Sequence, residues 1–446
     1  MHQKILISNG QIVNEGKIEA ADILIKDGRI DKIASSIDAG DAYVVDAQGK
    51  FVIPGMIDDQ VHFREPGLTH KGEIATESAA AVVGGITSYM EMPNVNPLTI
   101  NLEALEDKYD RASKKSMANF SFYMGASNDN LEVIKSLPVD VACGIKVFMG
   151  ASTGNMLVDN PDTLEGIFAN APILVATHCE SSPLIEANEA DFLERLGEDG
   201  IKPTDHPLIR SEEACLASSR FAVDLAKKYG TKLHVLHLTT AIELGLFEPG
   251  NVNDKQITAE ACVHHLYFNE LDYRELGNLI KCNPAIKRVS DQEAILKAVN
   301  DDVIDIIATD HAPHTWDEKQ KLYVKAPAGL PLVQDALLSL MEHYHQGTFT
   351  MNKIVDKTSH AVADRFNVKD RGYLREGYWA DITIIDPEGG TLRLNNDEIL
   401  SKCGWSPFAG TQFKSSIDST IINGELVWHD GNLNRDFRGK RLEYSR

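Results

Sequence analysis

The sequence predicts an α/β fold: a (β/α)8 barrel of the TIM type with a small β-sandwich domain built from both chain termini. Three observations support this prediction. Short apolar strands alternate with helical stretches through the middle of the chain, these strands number eight, and both ends of the chain consist of β-type segments without such helices. The predicted boundaries are 1–52 and 366–446 for the two parts of the β-sandwich domain and 53–365 for the barrel.

The two ends of the chain are rich in β-branched residues and are interrupted by turn signals. The N-terminal segments are "KILISNGQIV" and "ADILIKDGRIDKIASSI", and the C-terminal segments are "ADITIIDP" and "STIINGELVWHDGNL". Gly and Asp-Gly between such short apolar runs are typical of antiparallel hairpins. Since the two ends share this pattern, we expect them to form one domain together.

The central region contains the strands that are expected to close the barrel. In chain order they are "FVIPGMID", "GITSYMEM", "NFSFYMGA", "GIKVFM", "PILVATH", "KLHVLHL", "QITAEAC" and "VIDIIAT". Helical patterns lie between them, for example at 70–85 and 290–302, and the long segment 181–230 predicts an additional helix. Two closing helices are expected at 331–347 and 352–367.

The composition is that of an ordinary globular protein and excludes several classes. The 446 residues carry a formal net charge of −22, which argues against nucleic acid and anionic membranes as partners. The start of the chain has no signal-peptide pattern, and no apolar run is long enough for a membrane helix, so a cytoplasmic location is expected. The six cysteines form no CxxC pair and are expected to be reduced and buried.

Polar side chains occur at or near the carboxyl ends of the predicted strands. Catalytic groups of a (β/α)8 barrel lie at this end, because the loops that follow the strands build the active site. A single such residue would more often be a satisfied core or surface group, but their shared position favours one functional site. These residues are His62, Asn94, Lys146, His178, His237 and Asp310.

Histidine and carboxylate side chains in this set are the usual ligands of a catalytic zinc ion. Lys146 differs, because an ammonium group does not bind a cation. A lysine in an apolar strand is shifted toward the neutral amine, which reacts with CO₂ to give a carbamate that bridges two metals. The alternative for Lys146 is a side chain that reaches solvent or pairs with a carboxylate, and the residues alone favour that alternative.

Seven motifs together give the chain a close resemblance to the dihydroorotase family of the amidohydrolase superfamily. The resemblance spans nearly the whole chain, and allantoinases and dihydropyrimidinases share its metal pattern but usually lack the REPG, MPNxNP and DHAPH combination. The motifs are "VHFREPG" (61–67), "EMPNVNP" (91–97), "GIKVFM" (144–149), "THCE" (177–180), "VLHLTT" (235–240), "KCNPAIK" (281–287) and "ATDHAPH" (308–314).

The resemblance implies a zinc-dependent, reversible hydrolysis of L-dihydroorotate to N-carbamoyl-L-aspartate, a step of pyrimidine biosynthesis. It implies two zinc ions, one bound by His62 and Asp310 and the other by His178 and His237, bridged by a hydroxide nucleophile and by Lys146 as a carbamate. Asp310 would also be the catalytic acid and base. Family members are often dimers, so a homodimer is expected from the resemblance alone.

The same resemblance implies which residues bind the small-molecule substrate. Arg64 is suited to a two-fold hydrogen bond with the substrate carboxylate, and Asn94 and His314 match positions that hold the same carboxylate. Asn283 matches an asparagine that contacts the ring, and Ala328 and Gly329 match a loop at the pyrimidine edge. Asn94 and Asn283 also precede or approach prolines, so loop chemistry alone is an alternative explanation for both.

Gln60 departs from the family pattern, in which His-x-His is usual where this chain has Gln60-Val61-His62. A neutral amide oxygen is a poor zinc ligand beside an imidazole. We therefore hypothesise one firmly bound zinc ion at Lys146, His178 and His237 and a weak or partial second one. Asp59 is not expected to replace the missing histidine, because neighbouring strand residues point to opposite faces.

Two other functions stay open at this stage. The loss of one ligand suits an inactive relative that acts as a scaffold for aspartate transcarbamoylase, and the shared metal pattern suits a hydrolase of another cyclic amide, of the allantoinase or hydantoinase type. The intact ligand set argues against the first. Arg64 and His314 argue against the second, because substrates without a carboxylate would leave both unpaired.

Two further motifs carry weaker hypotheses. In loop 150–156, Ser152 and Thr153 are suited to close over a substrate, although an ordinary glycine-rich connection explains them equally well. His264 and His265 follow the seventh strand, where either could orient a ligand or pack in the core.

Overall fold

The computed structural model describes residues 4–150, 156–395 and 398–446. Ser152 and Thr153, for which a closing loop is predicted, lie outside this part of the chain. None of the described helices has the length and apolar character that a membrane crossing requires.

The strands fall into a sheet from the chain ends, a barrel in the middle and a small hairpin. They are β1 Lys4–Asn14, β2 Lys17–Lys26, β3 Arg29–Ala34, β4 Tyr43–Asp46, β5 Phe51–Pro54, β6 Met56–Val61, β7 Ile86–Glu91, β8 Asn119–Phe122, β9 Met124–Gly125, β10 Ile145–Phe148, β11 Val175–His178, β12 Leu233–Val235, β13 Ile257–Cys262, β14 Ile306–Ala308, β15 Ile382–Asp386, β16 Thr391–Leu392, β17 Gln412–Phe413, β18 Ser416–Ile422, β19 Glu425–His429 and β20 Asn432–Leu433.

One mixed sheet combines strands from both ends of the chain. Its order is β20-β19-β18-β15-β5-β1-β2-β3, with β4 paired to β1. The two ends meet where β15 pairs antiparallel with β5, and the buried isoleucines and valines of these strands form a hydrophobic cluster of their own. The prediction that both termini build one β domain is therefore confirmed, whereas its boundaries at 52/53 and 365/366 stay predictions.

The barrel consists of the eight predicted strands. The parallel sheets β6-β7-β8 and β9-β10-β11-β12-β13-β14 contain them, with β8 and β9 as two parts of one strand. The barrel closes between its first and last strands. Val61 forms a parallel bridge with His311, and the backbone N–H of His62 donates to His311 O (2.7 Å). Every residue of β6, β7 and β10 is buried, as expected for strands covered by helices on one face and packed inside the barrel on the other.

The helices surround the barrel. They are α1 Ile74–Val83, α2 Leu102–Lys115, α3 Leu131–Lys135, α4 Pro161–Asn170, α5 Ser182–Leu196, α6 His206–Ile209, α7 Glu212–Tyr229, α8 Val263–Tyr267, α9 Tyr273–Leu276, α10 Val289–Asn300, α11 Trp316–Lys319, α12 Ala336–His345, α13 Met351–Val355 and α14 Ala361–Phe366. Short 3₁₀ segments are Pro203–Asp205, Ala241–Leu246, Val252–Asp254, Glu270–Asp272, Gly277–Ile280 and Tyr323–Lys325, and a π-helical turn spans Asp356–His360.

The helix between the fifth and sixth barrel strands is confirmed, and its ends follow from local chemistry. The Ser211 side chain accepts the backbone N–H of Ala214 at the start of α7, and Gly230 ends the helix with a φ of +73°. Serine and glycine are the residue types that these two positions favour. The 181–230 segment contains α5 and α6 in addition, so it holds more helix than one crossover needs.

The first predicted strand differs from the structure, because "FVIPGMID" divides into two strands with different partners. β5 pairs with β1 and β15 of the terminal sheet, whereas β6 pairs with β7 of the barrel. Gly55 lies between them, and a Cβ there would come within 2.1 Å of the Thr87 side chain. The chain therefore passes from one sheet to the other at a point where only glycine fits.

Candidate active site

The ligand-type side chains of the first and last barrel strands meet at the carboxyl end of the barrel. His62 Nε2 lies 3.2 Å from Asp310 Oδ1, and both residues are almost completely buried. Asn94 Oδ1 lies 2.8 Å from His62 Nδ1, and since an amide oxygen only accepts, Nδ1 is the protonated nitrogen. Burial lowers the pKa of His62, so its neutral ring presents a lone pair to a carboxylate oxygen. A cation between these two acceptors would satisfy both.

Two further histidines meet on the other side of the site. His178 Nε2 lies 3.0 Å from Glu180 Oε2, which fixes Nε2 as the donor and leaves the Nδ1 lone pair facing His237 Nε2 at 2.9 Å. Burial lowers the pKa of His178 and holds that of His237 well below its usual value. Two neutral imidazoles whose nitrogens converge form an arrangement suited to binding a shared metal ion.

Glu180 orients His178, and the sequence interpretation did not assign it this role. Burial raises the pKa of Glu180, but Arg210 and His178 outweigh burial and lower the pKa to about 2. Arg210 forms an ion pair with the same Oε2 atom that His178 contacts. A carboxylate that holds the far nitrogen of a ligand histidine is common at metal sites. Its place two residues after His178, in "THCE", is the sequence signal that could have identified it.

Lys146 lies in β10, with about 1% of its surface exposed. Its Nζ is 4.7 Å from the centre of the Phe148 ring, and it makes no hydrogen bond or ion pair with another described residue. Burial lowers the pKa of Lys146 to about 8, although the carboxylates of Asp310 and Glu260 raise it. The alternative of a lysine that reaches solvent is therefore excluded, and the neutral amine that a carbamate requires is accessible near neutral pH.

The Gln60 side chain occupies the space between the ligand-type residues and β13. Its Nε2 donates to Asp310 Oδ1 (3.1 Å), and its Oε1 accepts from the Cys262 thiol (3.8 Å). The amide therefore presents a hydrogen-bond donor to the carboxylate oxygen that would bind a cation beside His62. Asp59 does not take the place of the missing imidazole, since its carboxylate faces His234 and Glu260 inside the barrel.

A group of basic side chains lies next to the ligand-type residues. It contains the residues that are predicted to bind the substrate carboxylate. Arg64 Nη2 lies 3.1 Å from His314 Nε2, and Lys71 Nζ lies 3.0 Å from His314 Nδ1. Ala328 O is 2.9 Å from the same Nε2 atom. Lys71 has one acidic neighbour, Glu318, at 3.2 Å. Lys71 was not identified from the sequence, because a single lysine in a loop gives no periodic or motif signal.

The loop predicted at the pyrimidine edge is held by a buried lysine. Lys319 Nζ donates to the carbonyl oxygens of Lys281 (3.0 Å), Pro327 (3.0 Å) and Gly329 (2.9 Å), and so uses all three of its N–H groups. Gly329 has a φ of +141°, and a Cβ there would lie 2.4 Å from Ala312 O. Nearby, Asn283 Oδ1 is buried and has no hydrogen-bond partner. This amide oxygen is available to a ligand.

Three residues of the site adopt left-handed backbone conformations that side chains other than glycine rarely take. The φ angles are +71° for Arg64, +40° for His237 and +51° for Asp310. For His237 the cause is visible, because its backbone N–H donates to Glu260 Oε1 (3.0 Å). Such conformations cost about 1–3 kcal/mol each and concentrate at functional sites.

The barrel and its ring of ligand-type side chains define a hydrolase of the metal-dependent barrel class, and comparison with known proteins makes the assignment specific. The Amidohydrolase family matches residues 51–427. A dihydroorotase of Bacillus cytotoxicus is 33% identical over 438 residues, covering 95% of this chain and 98% of the relative. A dihydroorotase of Methanosarcina mazei is 31% identical over 454 residues, covering 98% of this chain and 97% of the relative. The chain belongs to the amidohydrolase family, in its dihydroorotase branch.

Solved structures agree with this fold. An L-hydantoinase (dihydropyrimidinase) from Arthrobacter aurescens superposes with a TM-score of 0.91 at 24% identity, covering 99% of this chain and 100% of that chain. A dihydropyrimidinase from Brevibacillus agri gives a TM-score of 0.88 at 22% identity, covering 99% of this chain and 100% of that chain. At these identities the similarity concerns the fold. A metal cofactor follows from the family, and the facing atoms within each of the two pairs, His62 with Asp310 and His178 with His237, suit one.

Proposed function

We propose that this protein is a dihydroorotase that catalyses the reversible hydrolysis of L-dihydroorotate to N-carbamoyl-L-aspartate. The observation that carries the proposal is the contact of Arg64 and Lys71 with His314, next to the ligand-type ring. Lys71 is paired with Glu318, whereas Arg64 forms no ion pair within 4 Å with a described carboxylate, so a substrate carboxylate could pair with Arg64. Dihydroorotate carries a carboxylate on a cyclic amide, whereas dihydrouracil has the ring alone.

Zinc is the metal that the donor set favours. We propose that Lys146, as a carbamate, holds it together with His178 and His237, and that His62 and Asp310 hold a second, weaker ion. Zinc bound there would lower the pKa of water and polarise the ring carbonyl. Gln60 supports the inequality of the two positions, because its N–H already occupies Asp310 Oδ1.

The protein's own residues then divide the remaining tasks. Arg64, Lys71 and His314 bind the substrate carboxylate, and Asn283 Oδ1 accepts a ring N–H. Asp310 accepts a proton from the water that adds to the ring carbonyl. As the carbon–nitrogen bond breaks, Asp310 returns the proton to the leaving nitrogen, so that one water molecule is consumed and the ring opens.

Asn94 has a task in addition to the one that the resemblance implies. Its Oδ1 faces His62 Nδ1, so we propose that it orients the imidazole. An amide contacts a carboxylate through its N–H₂ group, so the contact of Oδ1 with His62 does not compete with binding of the substrate carboxylate.

An Arg64→Gln variant tests the substrate assignment. Removing one partner of a buried charge pair costs about 2–5 kcal/mol, so we expect kcat/KM for L-dihydroorotate to fall by about 30-fold or more. The control is dihydrouracil, for which any ring opening should change little. If both substrates lost activity equally, or if the wild-type protein preferred dihydrouracil, hydrolysis of another cyclic amide would replace this proposal.

The homodimer that the family resemblance implies stays a proposal. Light scattering with size-exclusion chromatography should give a mass close to twice the 49.2 kDa of one chain.

A further inference from the structure

We propose that Cys262, His264 and His265 form a second kind of metal site, which binds a soft divalent cation of the zinc class at the carboxyl end of β13. One ligand atom from each of these residues lies within 4.8 Å of the others. All three side chains are buried, with exposed fractions of 0%, 0% and 4%. None of them belongs to the ligand set of the proposed catalytic metals.

The hydrogen bonds of His265 match those of a metal-binding histidine. Its Nε2 lies 3.1 Å from the carbonyl oxygen of Pro284, and since the carbonyl only accepts, Nε2 carries the proton. Nδ1 then bears a lone pair, and it is buried without a hydrogen-bond partner. Metal-binding histidines almost always donate their other ring N–H to a carbonyl or carboxylate oxygen in this way.

His264 provides a second, independent indication. Both of its ring nitrogens are buried and make no hydrogen bond of ordinary geometry, although the Thr309 backbone interacts with the ring. The ring centre lies 3.9 Å from that of His265. Burying an imidazole without partners costs free energy, and binding a cation would recover it. Cys262 completes the group with sulfur, the ligand that zinc prefers in structural sites.

The Cys262 thiol makes long contacts with two oxygen atoms, to which it donates. Glu260 Oε1 lies 3.4 Å from the thiol sulfur, and Gln60 turns its amide oxygen toward the same sulfur. Metal binding would convert the thiol to a thiolate, release its proton to solvent and form a metal–sulfur bond. The two positive charges of the metal would then meet one thiolate, next to Glu260, whose pKa burial raises to about 8.

A second buried group of ligand-type residues, Asp59, His234 and Glu260, is held together by ion pairs. Asp59 and Glu260 lie 3.3 and 3.5 Å from His234 Nε2, and His234 Nδ1 contacts the Thr258 hydroxyl. Burial lowers the pKa of His234, but the two carboxylates outweigh burial and raise it to about 9. Charge attraction pairs this group internally, although both Asp59 oxygens, His234 Nε2 and Glu260 Oε2 make no hydrogen bond of ordinary geometry. His264, in contrast, forms no ion pair with a carboxylate of the described residues.

Gln60 connects the two regions, because its Nε2 contacts Asp310 while its Oε1 contacts Cys262. A metal-bound Cys262 thiolate has no proton to donate to Gln60 Oε1, so metal binding would remove this contact and leave the contact of Gln60 with Asp310. The inference concerns metal binding itself and does not depend on the proposed dihydroorotase activity.

Zinc-edge X-ray absorption spectroscopy of the full chain, expressed with zinc and dialysed, tests the proposal. We expect a zinc–sulfur shell at about 2.3 Å in addition to nitrogen and oxygen. Loading with Co²⁺ should also give a sulfur-to-cobalt charge-transfer band. Nitrogen and oxygen ligands alone, with no such band, would overturn the proposal without affecting the ring-opening assay.

Two cysteine variants assign the sulfur. Cys262→Ser should abolish the sulfur shell and lose about one equivalent of bound zinc, whereas Cys143→Ser, a buried cysteine elsewhere in the barrel, should retain both. A sulfur shell that persists in Cys262→Ser would contradict the assignment. Should Cys262→Ser fail to fold, His264→Gln provides the second test, in which the zinc content falls by about one equivalent.

Discussion

Gln60 shows how one amide changes the chemistry of a shared metal site. Its N–H₂ group hydrogen-bonds the oxygen of Asp310 that also faces His62. A cation beside His62 must therefore displace a hydrogen bond, and it lacks the second imidazole that a histidine at position 60 would supply. We expect the catalytic site to retain one zinc ion firmly and to bind the second only at excess zinc.

A Gln60→His variant restores an imidazole to this position. Since it adds a favourable zinc ligand and removes a competing donor, we expect the second zinc ion to bind at least about tenfold more tightly. Zinc per chain after dialysis measures this, in a Cys262→Ser background so that the β13 site is not counted. Gln60→Asn is the matched control. Two full equivalents of zinc in the protein that keeps Gln60, or in Gln60→Asn, would contradict the explanation.

Individual elements show which features the sequence predicts and which it does not. All eight barrel strands and the helix before β12 were predicted, because their apolar runs and caps are local signals. The division of "FVIPGMID" at Gly55 was not, because the contact with Thr87 depends on tertiary structure. The His178–Glu180–Arg210 chain and the Lys71–His314 contact were missed for the same reason, since their partners are distant in sequence or lack a pattern.

Helix α12 contains a buried histidine that should make stability depend on pH. Both ring nitrogens of His343 are buried without partners, and burial lowers its pKa to about 4. Between about pH 6.5 and 4, the unfolded chain binds a proton at this residue and the folded chain does not. Stability should therefore fall as the pH falls through this window, by at most about 3 kcal/mol from this residue.

His343→Leu removes that contribution. The loss of unfolding free energy between about pH 6.5 and 4, measured by urea denaturation, should be smaller in the variant than in the wild-type protein. His70→Leu, at a largely exposed histidine, is the control and should leave the slope unchanged. An identical slope in His343→Leu would show that this histidine is not neutral in the fold.

The whole molecule is held together by contacts between segments that are distant in the chain. β5 and β15 join the two ends in one sheet, and residues 437–446 return to the barrel. There Leu442 is buried, its backbone N–H donates to Phe120 O (2.9 Å), and Arg446 donates to Ala142 O (2.8 Å). The β pattern shared by the two ends predicted their common domain, but no local pattern indicated this return.

Deletion of residues 437–446 tests the importance of the returning segment. Phe437 and Leu442 are both buried, and re-exposing each costs about 1.5–3 kcal/mol, so we expect the barrel to lose at least about 3 kcal/mol of unfolding free energy. The matched control, Lys440→Ala with Glu443→Ala, changes charged side chains in the same segment and should cost much less. Equal stability of the deleted and full-length chains would contradict the packing described.

Ring opening of L-dihydroorotate by the zinc-loaded, bicarbonate-equilibrated chain tests the central claim most directly. We predict saturable turnover that requires zinc, runs in both directions and exceeds the rate with dihydrouracil at equal concentration. Absence of turnover at every ratio of zinc to protein, in a chain that still binds zinc at His178 and His237, would contradict it. The inactive scaffold would then be the better description of this protein.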